Sequence, residues 1–219
     1  MIWFLADLHG GRTAEGLKKY QELCQKDDLL IVLGDVELNF DNSEDNRQFS
    51  KYFTSLDCNI AFVDGNHDNF DYLESLPVED WNGGKVHRVT DRIVHLMRGH
   101  VFELEGNSFL VMGGCLSGNS KWKDAGLWWE REQASDEELE LAYENLRKRG
   151  NKVDYILTHK YSNPNHTYRY DSAEKFADYV DKNITFKHWY SGHWHEYIEM
   201  DDRHTVIYDE PKQLKRELL

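Results

Sequence analysis

Nowhere does the chain run apolar for the roughly 20 residues that crossing a bilayer requires, and this argues against a membrane role. The opening stretch, MIWFLADLHG, turns polar at Asp7 and has neither the basic start nor the long apolar run of a signal peptide, so the expected location is the cytoplasm. Cysteine is scarce. Cys24, Cys58 and Cys115 are odd in number, far apart and without CxxC spacing, which argues against a disulfide framework or a thiolate metal site and leaves buried thiols as the expectation. Positive charge is also short: 26 Lys and Arg stand against 40 Asp and Glu, a net charge of −14. Binding along an extended nucleic acid draws its energy from cations that neutralise phosphates, so it is not expected here. A chain this acidic that handles phosphate needs positive charge from elsewhere, and bound metal ions are the obvious source. There is no internal repeat, low-complexity tract or Pro/Ser-rich linker, so residues 1–219 read as a single domain.

What the chain does contain is a series of short apolar runs: MIWFLA, LLIVLG, NIAFVD, SFLVMGG, VDYILTH and HWYSGH. Each is strand-length and bounded by polar residues or glycine. Helix-length stretches, Thr13 to Gln25 and Ser43 to Leu56, separate the first three, which is the rhythm of a partly parallel sheet. Ser135 and Glu138 form a capping box for a helix running to about Arg149, where Gly150 stops it. Between Lys85 and Met112 the alternation favours antiparallel hairpins, and EMDDRHTVIY reads as another hairpin turning at Asp201 to Arg203. The final KQLKRELL reads as a surface tail or short helix. The residues alone thus give a mixed α/β class.

The informative positions are the ends of the runs. MIWFLADLHG closes on Asp7 and His9, LLIVLGD on Asp35, NIAFVDGNHD on Asn66 and His67, VDYILTH on His159, and HWYSGHWH on His193 and His195. In open α/β sheets, functional groups gather beyond the carboxyl ends of strands, so these distant residues can converge. In Asp7-Leu8-His9 and His193-Trp194-His195, an extended backbone would place both polar side chains on one side. Carboxylate, amide oxygen and imidazole donors suit Mn, Fe, Zn or similar divalent ions, and there are more of them than one tetrahedral ion needs. A set of unrelated polar turns would have to reproduce the order, the strand-end placement and the ligand chemistry together.

The ordered blocks Asp7-x-His9, Gly34-Asp35, Gly65-Asn66-His67-Asp68, Thr158-His159 and Gly192-His193-x-His195 resemble the signature of the calcineurin-like metallophosphoesterases, from residue 1 to about residue 200. LPVEDWNGGKVHRV, HLMRGHVFE and GLWWERE resemble a bacterial and phage-type branch of that superfamily. The resemblance implies two packed mixed β-sheets flanked by helices. It also implies two divalent ions, manganese first and Fe, Zn, Ni or Mg as alternatives. Asp7, His9, Asp35 and His195 would hold one ion; Asp35, Asn66, His159 and His193 would hold the other. They would lie about 3.5–4 Å apart and carry the hydroxide that attacks phosphorus. Asn66 would help hold the phosphoryl group, and His67 would bind its oxygen or protonate the leaving oxygen. The implied substrate is a small phosphate ester, a nucleotide among the candidates, with a diester slightly favoured over a monoester.

Two features depart from the family pattern. Many relatives place an acid three positions after the bridging aspartate to orient the catalytic histidine; Leu38 stands there, leaving Asp68, Glu37 or Asn39 as candidate replacements. The arginines that bind phosphate in some phosphoprotein phosphatases are absent. These departures motivate a second reading, a catalytically weak metal-binding module. Asp68 also fits a helix N-cap for NFDYLESL. His87, His95, His100, His166, His188 and His204 match no block and read as surface or structural residues. The segment Gly113 to Glu132 reads as an irregular active-site loop, with Trp128 and Trp129 packing it down and Trp122 able to face the cleft. Arg12, Lys121, Lys123 and Lys160 are the available phosphate-binding cations, although each taken singly reads as an ordinary solvated charge.

Overall fold

The computed structural model describes residues 1–10, 27–118, 120–161 and 170–214. Two mixed sheets form its centre. The first contains β1 (Ile2–Leu5), β2 (Leu29–Leu33), β3 (Asn59–Val63), β4 (Val78–Trp81), β5 (Gly84–Arg88), β6 (Ile93–Leu96) and β13 (Lys212–Gln213), in the order β13-β1-β2-β3-β6-β5-β4. The second contains β7 (Val101–Leu104), β8 (Asn107–Met112), β9 (Tyr155–Thr158), β10 (His188–Ser191), β11 (Ile198–Glu199) and β12 (His204–Val206), in the order β11-β12-β10-β9-β8-β7. β1, β2, β3 and β6 run parallel, as do β8, β9, β10 and β12. The hairpins expected between residues 85 and 112 and near residue 201 are present as antiparallel pairs.

Period-two alternation decides what each strand faces. Ile2 and Phe4, Ile31 and Leu33, and Ala61 and Val63 of the first sheet meet Phe109, Val111, Tyr155, Leu157 and Tyr190 of the second in a shared core. The other face of the first sheet presents Leu5, Leu30, Val32, Ile60 and Phe62 to helix α1 (Glu44–Thr54) and helix α2 (Phe70–Ser75). The other face of the second covers Leu110, Ile156 and Trp189 with helices α4 (Asp136–Lys148) and α5 (Ser172–Asn183). Because both faces of the central strands are buried, their sequences read as continuous apolar runs.

Local chemistry sets the helix limits. Ser43 caps α1 by accepting the Asn46 N–H, and Phe49 and Phe53, one turn apart, bury against the sheet. The Ser135–Glu138 capping box forms as expected, and Leu139, Ala142 and Leu146 give α4 its buried stripe. Gly150, at φ +66°, ends α4 by donating to Arg147 O while Asn151 donates to Leu146 O. Residues 113–132 contain a short helix, α3 (Ser120–Asp124), and a 3-10 turn at Glu130–Glu132.

Two local expectations need correction, and one lies beyond view. The N-cap of α2 is Asn69, whose side chain accepts the Tyr72 N–H, so Asp68 is not the cap. Lys212–Gln213, the start of the expected KQLKRELL tail or helix, joins the sheet beside β1, and residues 215–219 fall outside the described residues. The helix expected over Thr13 to Gln25, with Arg12, Cys24 and His166, falls outside the described residues. Among the described residues no helix is long and apolar enough to cross a membrane.

Candidate metal centre

Parallel neighbours bring their carboxyl ends to one edge, and backbone hydrogen bonds extend the alignment past the strands. Asp7 N–H donates to Gly34 O at 3.1 Å, His9 N–H to Asp35 O at 2.9 Å, and Gly192 N–H to His159 O at 2.7 Å. All seven sequence-predicted ligands meet at this edge. Asp7, His9, Asp35 and His195 bring donor atoms within 4.8 Å of one another, and His159 and His193 form a second such group.

The third member of that second group, Cys115, is absent from the ligand set read in the sequence. It follows β8, so the strand-end rule extended to SFLVMGGC would have found it. Asn66 joins the same group: its Oδ1 lies 3.1 Å from His159 Nε2 and 3.1 Å from Cys115 Sγ.

Asp35 joins the two groups. Its Oδ1 is 3.4 Å from His159 Nε2, and its Oδ2 is 3.7 Å from His9 Nε2. Close approach of three chain segments makes this possible. At Gly34, φ is +89° and a Cβ would collide with the His159 ring; at Gly65 a Cβ would collide with Asp35 itself. Contact requires glycine at both positions, and at Gly34 the left-handed conformation requires it as well.

The backbone carrying the ligands is not extended. Asp7, His9, Asp35, His193 and His195 have φ of 56°, 44°, 53°, 76° and 53°. Asp7 and His9 therefore converge on one group through left-handed turns, with Leu8 directed into the core. His193 and His195 accordingly serve different groups.

Hydrogen bonds assign the imidazole tautomers. His9 Nδ1 donates to Glu37 Oε1 at 2.8 Å, leaving the Nε2 lone pair facing His195 Nε2 at 2.8 Å. His159 Nδ1 donates to Leu33 O at 2.8 Å, leaving Nε2 facing His193 Nδ1 at 3.2 Å. Such outer partners are what metal-ligating histidines ordinarily have. The Asn66 amide is fixed too: Nδ2 donates to Ser117 Oγ at 3.0 Å, and the Ser117 N–H donates to Glu132 Oε2 at 2.9 Å. Oδ1 is thereby turned toward His159.

The site's electrostatics call for cations. Burial pushes Asp7 up to about 7, although nearby imidazoles favour its ionised form. Asp35 is held well below the usual carboxylate range against its own burial, chiefly by His159. His159 is in turn raised well above the ordinary histidine value, burial being outweighed by Asp35. Protons here neutralise what divalent ions would otherwise neutralise. Facing ring nitrogens, rings oriented by outer hydrogen bonds and buried carboxylates together fit metal ions.

The remaining predicted residues fall into different environments. His67 sits beside the cluster, its ring 5.6 Å from that of His9 and 4.7 Å from that of Trp122, which does face this cleft. Burial lowers its pKa, and its Nδ1 has no hydrogen-bond partner among the described residues. None of the three candidate supports meets it there. Asp68 accepts the backbone N–H groups of Asp35, Glu37 and Gly65, Glu37 serves His9, and Asn39 O accepts from the Asn69 side chain.

Lys160 is also placed differently from the expectation of a phosphate-binding cation. It is buried, and its ammonium pairs with Asp171 at 2.9 Å and Glu174 at 3.2 Å. The exposed Lys123 rests over Trp128 at 4.4 Å from the ring centroid. Trp129 packs against Phe40 and Phe70 and donates to Asp71.

The model of the calcineurin-like phosphoesterase family matches residues 1–197, and the chain belongs to that family. It is, in class, a metal-dependent phosphoester hydrolase. Comparison with curated proteins found no match. Among solved structures, TT1561 of Thermus thermophilus is 13% identical with a TM-score of 0.51, over 94% of this chain and 87% of that one, a likeness of fold. The calcineurin-like phosphoesterase YfkN from Bacillus subtilis is 12% identical with a TM-score of 0.46, over 94% of this chain and 80% of that one. AQ665 from Aquifex aeolicus, a protein of unknown function, is 18% identical with a TM-score of 0.42, over 85% of this chain and 87% of that one.

Proposed function

We propose that the protein is a binuclear metallohydrolase of small phosphate esters, with a diester preferred over a monoester and nucleotides among the candidate substrates. The observation that carries this reading is Asp35, whose two oxygens face two separate ligand groups. Divalent ions held there would polarise the phosphoryl oxygens and make water a competent nucleophile at neutral pH. Manganese is the first candidate for the group of Asp7, His9, Asp35 and His195, which offers only oxygen and nitrogen donors.

The chain's own residues position the reactants. Asp35 keeps the two groups in register. Asn66, fixed by Ser117, directs its oxygen to the metal side and has a second amide N–H for a phosphoryl oxygen. His67, walled by Trp122 and Phe40, reaches the phosphoryl or leaving oxygen. The diester preference is supported by the character of this wall. It offers aromatic surface to a second ester group, and Lys160, one of the cations a dianionic monoester would need, is committed elsewhere.

The test is a pair of initial rates, on bis-p-nitrophenyl phosphate and p-nitrophenyl phosphate, after chelation and manganese addition. Diester turnover that is metal-dependent and faster supports the proposal; a faster monoester reverses the preference. The unsupported Nδ1 of His67 favours a second reading, a weak metal-binding module. That reading requires His67→Ala to leave turnover unchanged.

A further inference from the structure

Cys115 is fully buried at the end of β8, among residues from three other strand ends. Its Sγ lies 3.1 Å from Asn66 Oδ1 and 3.6 Å from His193 Nδ1, and it also hydrogen-bonds His159. His159 Nε2 in turn lies 3.1 Å from Asn66 Oδ1 and 3.2 Å from His193 Nδ1. Four donor atoms from the ends of β3, β8, β9 and β10 thus enclose one small volume.

The nitrogen–nitrogen and sulfur–nitrogen separations are those of neighbouring donors around one ion. Zn–N bonds of about 2.0–2.1 Å at tetrahedral angles put two nitrogens about 3.3 Å apart, and a Zn–S bond of about 2.3 Å puts sulfur about 3.6 Å from nitrogen. With Nδ1 occupied by Leu33 O, His159 already turns Nε2 inward. The seven ligands implied by the family signature contain no sulfur, so this donor belongs to the present chain.

We propose that Cys115 ligates, as a thiolate, the ion held by Asp35, Asn66, His159 and His193, making that position selective for thiophilic ions such as zinc. This rests on the binuclear reading and divides the centre into unequal halves: a harder one with two carboxylates and a softer one with sulfur. On binding, the S–H bond breaks, its electron pair goes to the ion and its proton is released to solvent.

The experiment titrates the metal-stripped full chain with Co²⁺ and follows absorbance. The wild type should show thiolate-to-cobalt charge transfer in the near ultraviolet, and both Cys115→Ser and Cys115→Ala should lose it while still binding cobalt. Zn²⁺ affinity of this position, measured against a chromophoric chelator, should fall about tenfold or more in Cys115→Ala. Mn²⁺ binding at the other position should not change.

Bound cobalt without the band in the wild type overturns the ligand assignment without recourse to any variant. Persistence of the band in both variants also overturns it. Failure of the wild type to bind any divalent ion overturns the metal centre itself, a different result from loss of the band alone.

Discussion

The carboxylate of Glu37 accepts the Nδ1–H of His9 at 2.8 Å, so the acid two positions after Asp35 orients His9, a candidate metal ligand, and not His67. This partner fixes the tautomer and makes Nε2 a better donor. Glu37→Ala should weaken divalent-ion affinity at the group of Asp7, His9, Asp35 and His195 by about 10–100-fold. Competition with a chromophoric chelator measures it; unchanged affinity would show that the hydrogen bond does not support binding.

His67 touches the cleft without belonging to either ligand group. His67→Ala should therefore lower kcat by about 10²–10⁴-fold if it takes part in proton transfer. Metal content should stay at the wild-type level. Elemental analysis beside initial rates separates the two effects.

Asp64 and Arg98 form a buried pair behind the active-site edge, with His95 Nε2 3.0 Å from the same carboxylate. Arg98→Met strands the carboxylate and should cost about 3–5 kcal/mol at neutral pH. Against burial, which would raise it, Arg98 and His95 hold the Asp64 pKa well below its usual range. That contribution is complete above the unfolded value of about 3.9 and is lost as pH falls through the folded value. Denaturant unfolding of both proteins should show their difference narrowing below about pH 4.

Glu132 carries the opposite sign. Burial pushes its carboxyl up to about 7, and its Oε1 has no hydrogen-bond partner among the described residues. The folded state keeps a proton that the unfolded chain gives up near pH 4.3, so this residue removes stability as pH rises from about 4.3 to 7. Glu132→Gln should flatten that slope and be more stable than the wild type at pH 8, by roughly 2–4 kcal/mol. Urea titrations of metal-stripped protein at pH 5 and pH 8 provide the comparison.

These residues also show how far the sequence could be read. Asp7, Asp35, Asn66 and His159 were legible because each ends a strand-length apolar run, and parallel neighbours place such ends on one edge. Ser43 and Ser135 were legible because capping is local. Cys115 was passed over because cysteines are judged by their spacing along the chain, although it too follows a strand-length apolar run and its neighbours come from other strand ends. Lys160 directly follows a ligand and reads as available, but Asp171 and Glu174 at the start of α5 fold over it. The turns at Asp7 and His193 were read as extended because side-chain alternation says nothing about a left-handed residue.

Five of the seven predicted ligands occupy that left-handed region. Non-glycine residues there cost of order 1–3 kcal/mol each, and they persist only where the surrounding structure over-determines them. Folding itself therefore sets the ligand geometry in advance, and an arriving ion need not gather loose loops. Amide hydrogen exchange at this edge should change little between stripped and loaded protein. The arrangement of these donors belongs to the scaffold, before any ion arrives.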